Sequence, residues 1–155
     1  MTRFACLILV FTLGMISCNQ DVLVSEEWKW DQQQWITSDT KTMSIEAADT
    51  TSRYAMDLDL SWDKSYAFEN LYIRTRTKFP SGKEVTSVTS LEMEDADGTW
   101  AGDCSGKSCS LTFPLQKVFT FPEVGTYSWS IEPYMRIDTV KGIKSLRATC
   151  RMLKK

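Results

Sequence analysis

FPEVGTYSWSIEPYMRIDTVKGI, residues 121–143, is the stretch on which the fold class turns. Pro122 and Gly125 lead into Tyr127, Trp129 and Ile131, which alternate with Thr126, Ser128 and Ser130. A period of two marks a strand with one buried face in an all-β domain. Beyond Glu132 the alternation stops. Residues 134–143 read as a structural corner, because Gly142 suggests a backbone conformation that other residues resist. Arg136 and Asp138 fall on the same side if the chain stays extended there. They are the residues expected to touch a partner if any patch of this chain does so by specific contacts.

The same period recurs on both sides of this stretch. Strands are expected over 22–30, 42–47, 54–63, 71–79 and 84–94, then as short pieces over 110–115 and 118–121, and finally over 143–153. Met56, Leu58, Leu60 and Trp62 alternate with Asp57 and Asp59; Leu71 and Ile73 alternate with Tyr72, Arg74 and Arg76. Folding these two segments as a hairpin around Tyr66 and Ala67 sets Trp62 against Leu71 and Leu60 against Ile73, with Asp59 opposite Arg74 and Asp57 opposite Arg76. Opposite charges across a ladder contribute roughly 0.2–1 kcal/mol each. With turn signals between them, about eight short strands predict a single antiparallel β-sandwich, Ig-like or jelly-roll-like.

Composition excludes several functions. The chain has 155 residues with 43% hydrophobic content, which suits one domain and one core. A net charge of −2 gives no electrostatic footprint for nucleic acid. Histidine is absent, which removes the commonest general base and metal ligand together. Asp57 and Asp59 would lie about 7 Å apart on one strand face, a spacing compatible with a carboxylate pair, but each has an arginine opposite it. Asp95-Ala96-Asp97-Gly98 opens like a calcium loop and lacks the later ligands, so it reads as a turn. Neither a phosphate loop nor a nucleophile motif is present. No catalytic residue, metal or cofactor is expected.

The cysteines divide by position. Cys104 and Cys109 flank a short loop in which a disulfide is permitted for an exported protein, two free thiols being the alternative. Two cysteines without histidine do not make a zinc site. Cys150 alternates with Leu146, Ala148 and Met152 and reads as a core residue.

Residues 1–17 carry Arg3 and an apolar run over 4–13, the pattern of a signal peptide too short to span a bilayer. Gly14-Met15-Ile16-Ser17-Cys18 resembles a bacterial lipobox. The resemblance implies cleavage before Cys18 and several acyl chains on it, enough for stable anchoring in the lipid bilayer. Losing Arg3 shifts the net charge from −2 to −3. Residues 18–25 form a short tether that keeps the domain, 26–155, close to the membrane. Lys141, Lys144, Arg147, Arg151, Lys154 and Lys155 make a basic end, read as a solvated strand face.

From Cys18 to Met152 the chain resembles the GldH family of gliding-motility-associated lipoproteins of Bacteroidetes. The residues that carry the resemblance are Glu26-Glu27-Trp28-Lys29 with Trp35, Tyr66 with Asn70-Leu71-Tyr72-Ile73, Pro80 to Lys83, and Asp95 to Gly98 with Trp100 and Gly102. Phe121-Pro122, Gly125-Thr126-Tyr127, Ile131-Glu132, Met135-Arg136, Asp138 and Gly142-Ile143 complete it. The resemblance implies an outer-membrane lipoprotein facing the periplasm, whose partners are other envelope proteins of the gliding and type IX secretion machinery. It brings no catalytic motif. The competing reading is a surface carbohydrate-binding module, with Trp28, Trp30, Trp35 and Trp100 as exposed stacking platforms and Trp62 and Trp129 in the core.

Overall fold

The computed structural model describes residues 22–154. Its strands in chain order are β1 (Val22–Lys29), β2 (Gln34–Ile36), β3 (Lys41–Ala47), β4 (Tyr54–Asp63), β5 (Asn70–Lys78), β6 (Glu84–Glu92), β7 (Asp103–Ser105), β8 (Ser108–Phe119), β9 (Gly125–Pro133), β10 (Thr139–Lys141) and β11 (Ile143–Met152). All pairings are antiparallel. A five-stranded sheet runs β1-β11-β4-β8-β7, a four-stranded sheet runs β3-β9-β5-β6, and β10 and β2 form a pair of their own. The described residues are therefore all-β, with three antiparallel sheets.

Alternation decides which side chains are buried. Tyr127, Trp129 and Ile131 of β9 are inside, and Thr126 and Ser128 are exposed. Leu58, Leu60 and Trp62 of β4, Leu71 and Ile73 of β5, and Leu146, Ala148 and Cys150 of β11 join them in one hydrophobic cluster to which both larger sheets contribute. Each large apolar side chain removed from water contributes about 1.5–3 kcal/mol.

The expected count of about eight strands is corrected to eleven among the described residues. The additional β2, β7 and β10 have three residues each, too few to show a period. The pieces expected on either side of Pro114 and Gln116 are one strand, β8. Pro114 is tolerated because the side of β8 facing away from β4 has only β7 as a neighbour, and β7 pairs no further than Ser110. The ladder between β4 and β8 slips around Met56, absorbing the irregularity. The first strand begins at Val22, inside the stretch read as tether.

The expected hairpin of β4 and β5 does not form. β4 lies between β11 and β8, and β5 between β9 and β6. Asp57 pairs with Arg151 at 2.9 Å, and Asp59 accepts a hydrogen bond from Thr112 at 2.6 Å. Arg74 pairs instead with Glu132. Alternation tells which residues face the core but not which strand lies alongside. Here the inner rows of β4 and β5 enter one core from two different sheets. The chain crosses between them at Tyr66, whose N–H donates to the Asp63 carbonyl at 2.9 Å and whose hydroxyl donates to the Asn70 carbonyl at 2.9 Å.

Gly142 closes the corner between β10 and β11. Its φ of +92° is open to glycine, and a Cβ there would lie 3.1 Å from Tyr66 Cα. Its N–H donates to the Gln33 carbonyl at 2.7 Å, and its carbonyl accepts from Asp63 N–H at 2.7 Å.

Candidate partner-binding surface

The corner after β9 is folded back onto β5. Tyr134 N–H donates to the Tyr72 carbonyl at 2.7 Å, and Tyr72 N–H points at Met135 Sδ at 3.4 Å. Beneath it, Glu132 is buried and holds Arg74, while Thr40 donates to its other carboxylate oxygen at 2.7 Å. Burial pushes the Glu132 carboxyl up, but hydrogen bonds from Thr40 and Arg74 and the charges of Arg74 and Arg76 hold it below its ordinary value. The Arg74 guanidinium lies 4.8 Å from the Tyr134 ring centre. Glu132 thus fixes Arg74, and Arg74 fixes the ring that walls the surface above.

That surface is a concavity of about 720 Å³ lined by Phe68, Tyr72, Val88, Tyr134, Met135, Arg136 and Ile137. Tyr72, Val88 and Tyr134 are 43%, 49% and 51% exposed. A cluster of exposed aromatic and aliphatic side chains around an arginine has the composition of a protein-binding patch. Arg136 makes no ion pair among the described residues.

Arg136 and Asp138 are not on a strand, as extended chain would require; they sit in a bend between β9 and β10. Pro133 ends β9, and the backbone bonds of Tyr134 and Asp138 turn the chain. Both residues are exposed, but only Arg136 lines the concavity. Asp138 contributes through its carbonyl, which accepts from Thr37 N–H at 3.0 Å and Thr37 Oγ1 at 3.2 Å. Sequence reasoning missed Phe68, Tyr72 and Val88 as parts of this surface. The available signal was an aromatic in the outward row with Arg74 and Arg76, and a valine among outward Thr86 and Ser90.

A second concavity of about 300 Å³ opens between the larger sheets. Thr75, Val85, Ser87 and Thr89 line one side and Leu115 and Phe119 the other.

Of the other residues singled out from the sequence, Cys104 and Cys109 are joined by a disulfide across the β7–β8 hairpin. Cys150 is free and buried, and burial pushes its thiol up to about 12. Asp97 accepts from Thr99 N–H at 3.0 Å and Thr99 Oγ1 at 2.7 Å, bonds that hold its carboxyl below the ordinary value within a simple turn. Among the described residues no three or more of His, Cys, Asp and Glu come together as a metal site. Trp35, expected as an exposed platform, is fully buried in the centre of β2, stacks on Trp30 at 4.9 Å and donates to the Asp39 carbonyl at 2.8 Å. Trp28, Trp30 and Trp100 are half-buried against the core. The carbohydrate-binding reading thus loses Trp35, one of its four platforms, and no observation supports it. Cys18 and residues 1–17 lie outside the described residues.

The model of the GldH lipoprotein family matches residues 23–147, most of the chain. The chain belongs to the GldH lipoprotein family. It is 26% identical over 146 residues to a gliding motility lipoprotein GldH homolog of Christiangramia forsetii, covering 94% of this chain and 90% of that one. It is 25% identical over 97 residues to the gliding motility lipoprotein GldH of Flavobacterium johnsoniae, covering 63% of this chain and 60% of that one, less than two thirds of its length. Among solved structures, dimeric latent PorU from Porphyromonas gingivalis aligns over 87% of this chain and 13% of its own, with 11% identity and a TM-score of 0.33. An infectious bursal disease virus structure aligns over 94% and 36%, with 12% identity and a TM-score of 0.33. Likeness at that level carries no weight for function. As a GldH lipoprotein the chain is a non-catalytic, envelope-associated protein.

Proposed function

We propose that this GldH lipoprotein is anchored in the outer membrane through acylated Cys18, faces the periplasm, and acts as a non-enzymatic binding component of a gliding-motility and type IX secretion-associated envelope complex. Residues 1–17 serve as the signal peptide, and the larger sheets work as the two layers of a sandwich that carries the binding surface. The family match over residues 23–147 is the observation that carries this reading. The exposed apolar concavity around Arg136 supports it, because a monomer in water gains nothing from grouping such side chains.

The test is Cys18→Ala in cells whose secretion or surface spreading is scored alongside membrane fractionation. The variant should leave the membrane fraction and lose function in the complex. A soluble variant that supports normal secretion and spreading would sink the anchoring role.

A further inference from the structure

Both concavities open on the same strand. β6 is an outer strand of the four-stranded sheet, and no described strand lies beyond it. Its inner row, Val85, Ser87 and Thr89, faces Leu115 and Phe119 across the groove between the sheets. Its outer row brings Val88 to the surface that holds Tyr134 and Arg136.

Sheet edges are normally blunted, because a free row of N–H and C=O groups pairs with any extended chain. The other edges here follow that rule. β1 carries Glu26, Glu27 and Lys29 and a register break near Val22. β3 carries Lys41 and Glu46, and β7 has three residues. The stretch of β8 beyond β7 contains Pro114. β6 differs: Val-Thr-Ser-Val-Thr-Ser-Leu lies between Glu84 and Glu92 without charge, proline or glycine, and its ladder with β5 is unbroken over nine residues.

We propose that β6 is an acceptor edge for an extended segment of a partner protein, which joins the four-stranded sheet as its next strand. This inference rests on the partner-binding role proposed above and names its mode. Alternate side chains of the added strand are apolar and enter the groove toward Leu115 and Phe119. Those on the other face cover Val88 and Tyr134 and bring a carboxylate to Arg136, which makes no ion pair among the described residues. Main-chain bonds supply affinity, and the two flanking concavities supply specificity.

The full lipoprotein carrying a photocrosslinking amino acid at Val88, or at Ser44 on β3 as a control, is irradiated in its native envelope. The Val88 position should yield an adduct to one continuous segment of a partner, and the Ser44 position none. Hydrogen exchange of the purified complex should show slowed amides in β6. Ser87→Lys, which sets a charge in the groove at an exposed position, and Arg136→Glu should each lower the Val88 adduct at least about tenfold, the equivalent of about 1.4 kcal/mol. Both variants should keep the wild-type unfolding midpoint. If the partner still crosslinks from Val88 in both variants, or crosslinks only from Ser44, strand addition is wrong while partner binding stands. An adduct within the chain itself also overturns it. If no partner is captured from either position and none co-purifies, the partner-binding role falls as well.

Discussion

Gly142→Ala tests the corner that joins β10 to β11. Two effects add there. A residue with a Cβ held near φ +92° loses about 1–2 kcal/mol relative to glycine. The new methyl would also lie 3.1 Å from Tyr66 Cα and 3.3 Å from Tyr66 N. Both are backbone atoms fixed by the Tyr66 hydrogen bonds to Asp63 and Asn70, so the neighbour cannot swing aside. Overpacking of this kind costs about 1–3 kcal/mol, and relief by moving the corner strains the Gln33 and Asp63 bonds instead. The total should be about 2–5 kcal/mol. Gly98→Ala separates the two effects, since Gly98 has φ +79° with nothing within 4 Å of the added methyl. It should cost about 1 kcal/mol. Urea unfolding followed by tryptophan fluorescence measures both variants at equal slope. If Gly142→Ala costs no more than Gly98→Ala, crowding against Tyr66 does not exist and the corner is not packed as described.

Other expectations follow from the buried groups. Glu132→Gln keeps the shape but leaves Arg74 without its counter-charge, and should cost about 1–2 kcal/mol at neutral pH. Because the folded carboxyl is held below its ordinary value, its contribution is present above the ordinary carboxylate range and is lost as pH falls through the folded value; the wild-type protein should show an acid limb in its unfolding midpoint that the variant flattens. The Cys150 thiol, raised from 9.0 to about 12, should resist iodoacetamide until the domain unfolds, and stability should decline as pH climbs from 9.0 toward 12. Alkylation of native protein faster than unfolding would contradict its burial. Removing the disulfide by Cys104→Ser with Cys109→Ser should cost about 2 kcal/mol, because the ring it closes is short; an unchanged urea midpoint would refute that.

Burial was legible in the sequence almost residue by residue, and pairing was not. The alternating rows of β4, β5 and β9 face inward as their period required, and Cys150 sits where its alternation with Leu146 and Ala148 put it. The same rows misplaced β4 beside β5, since Asp57 and Asp59 find equally good partners on β11 and β8. Charge matching across a ladder contributes too little to select one neighbour from several. Gly142 signalled its backbone need correctly. Trp35 did not signal burial, because a three-residue strand with Gln34 before it shows no period. The concavity that Arg136 lines was not legible in the sequence, because Phe68, Tyr72 and Val88 lie between the end of β4 and the end of β6 and only the fold brings them beside the β9–β10 corner.

The arrangement of edges ties the anchor to the acceptor strand. Three residues, Asn19 to Asp21, separate Cys18 from Val22, so the four steps between them reach at most about 14 Å. On the proposed anchoring, the Val22 end of β1 would lie near the lipid. β1 lies against β3, and β9 and β5 separate β3 from β6. Three inter-strand spacings amount to about 14 Å. Among the described strands, β1 and β6 thus lie at opposite margins. The charges and register break of β1 suit a margin that does not pair, and β6, unbroken and without charge between Glu84 and Glu92, suits one that does. On the proposed anchoring and strand addition, a short tether would not compete with binding: it would keep the Val22 end of β1 near the bilayer and leave β6 open to an added strand.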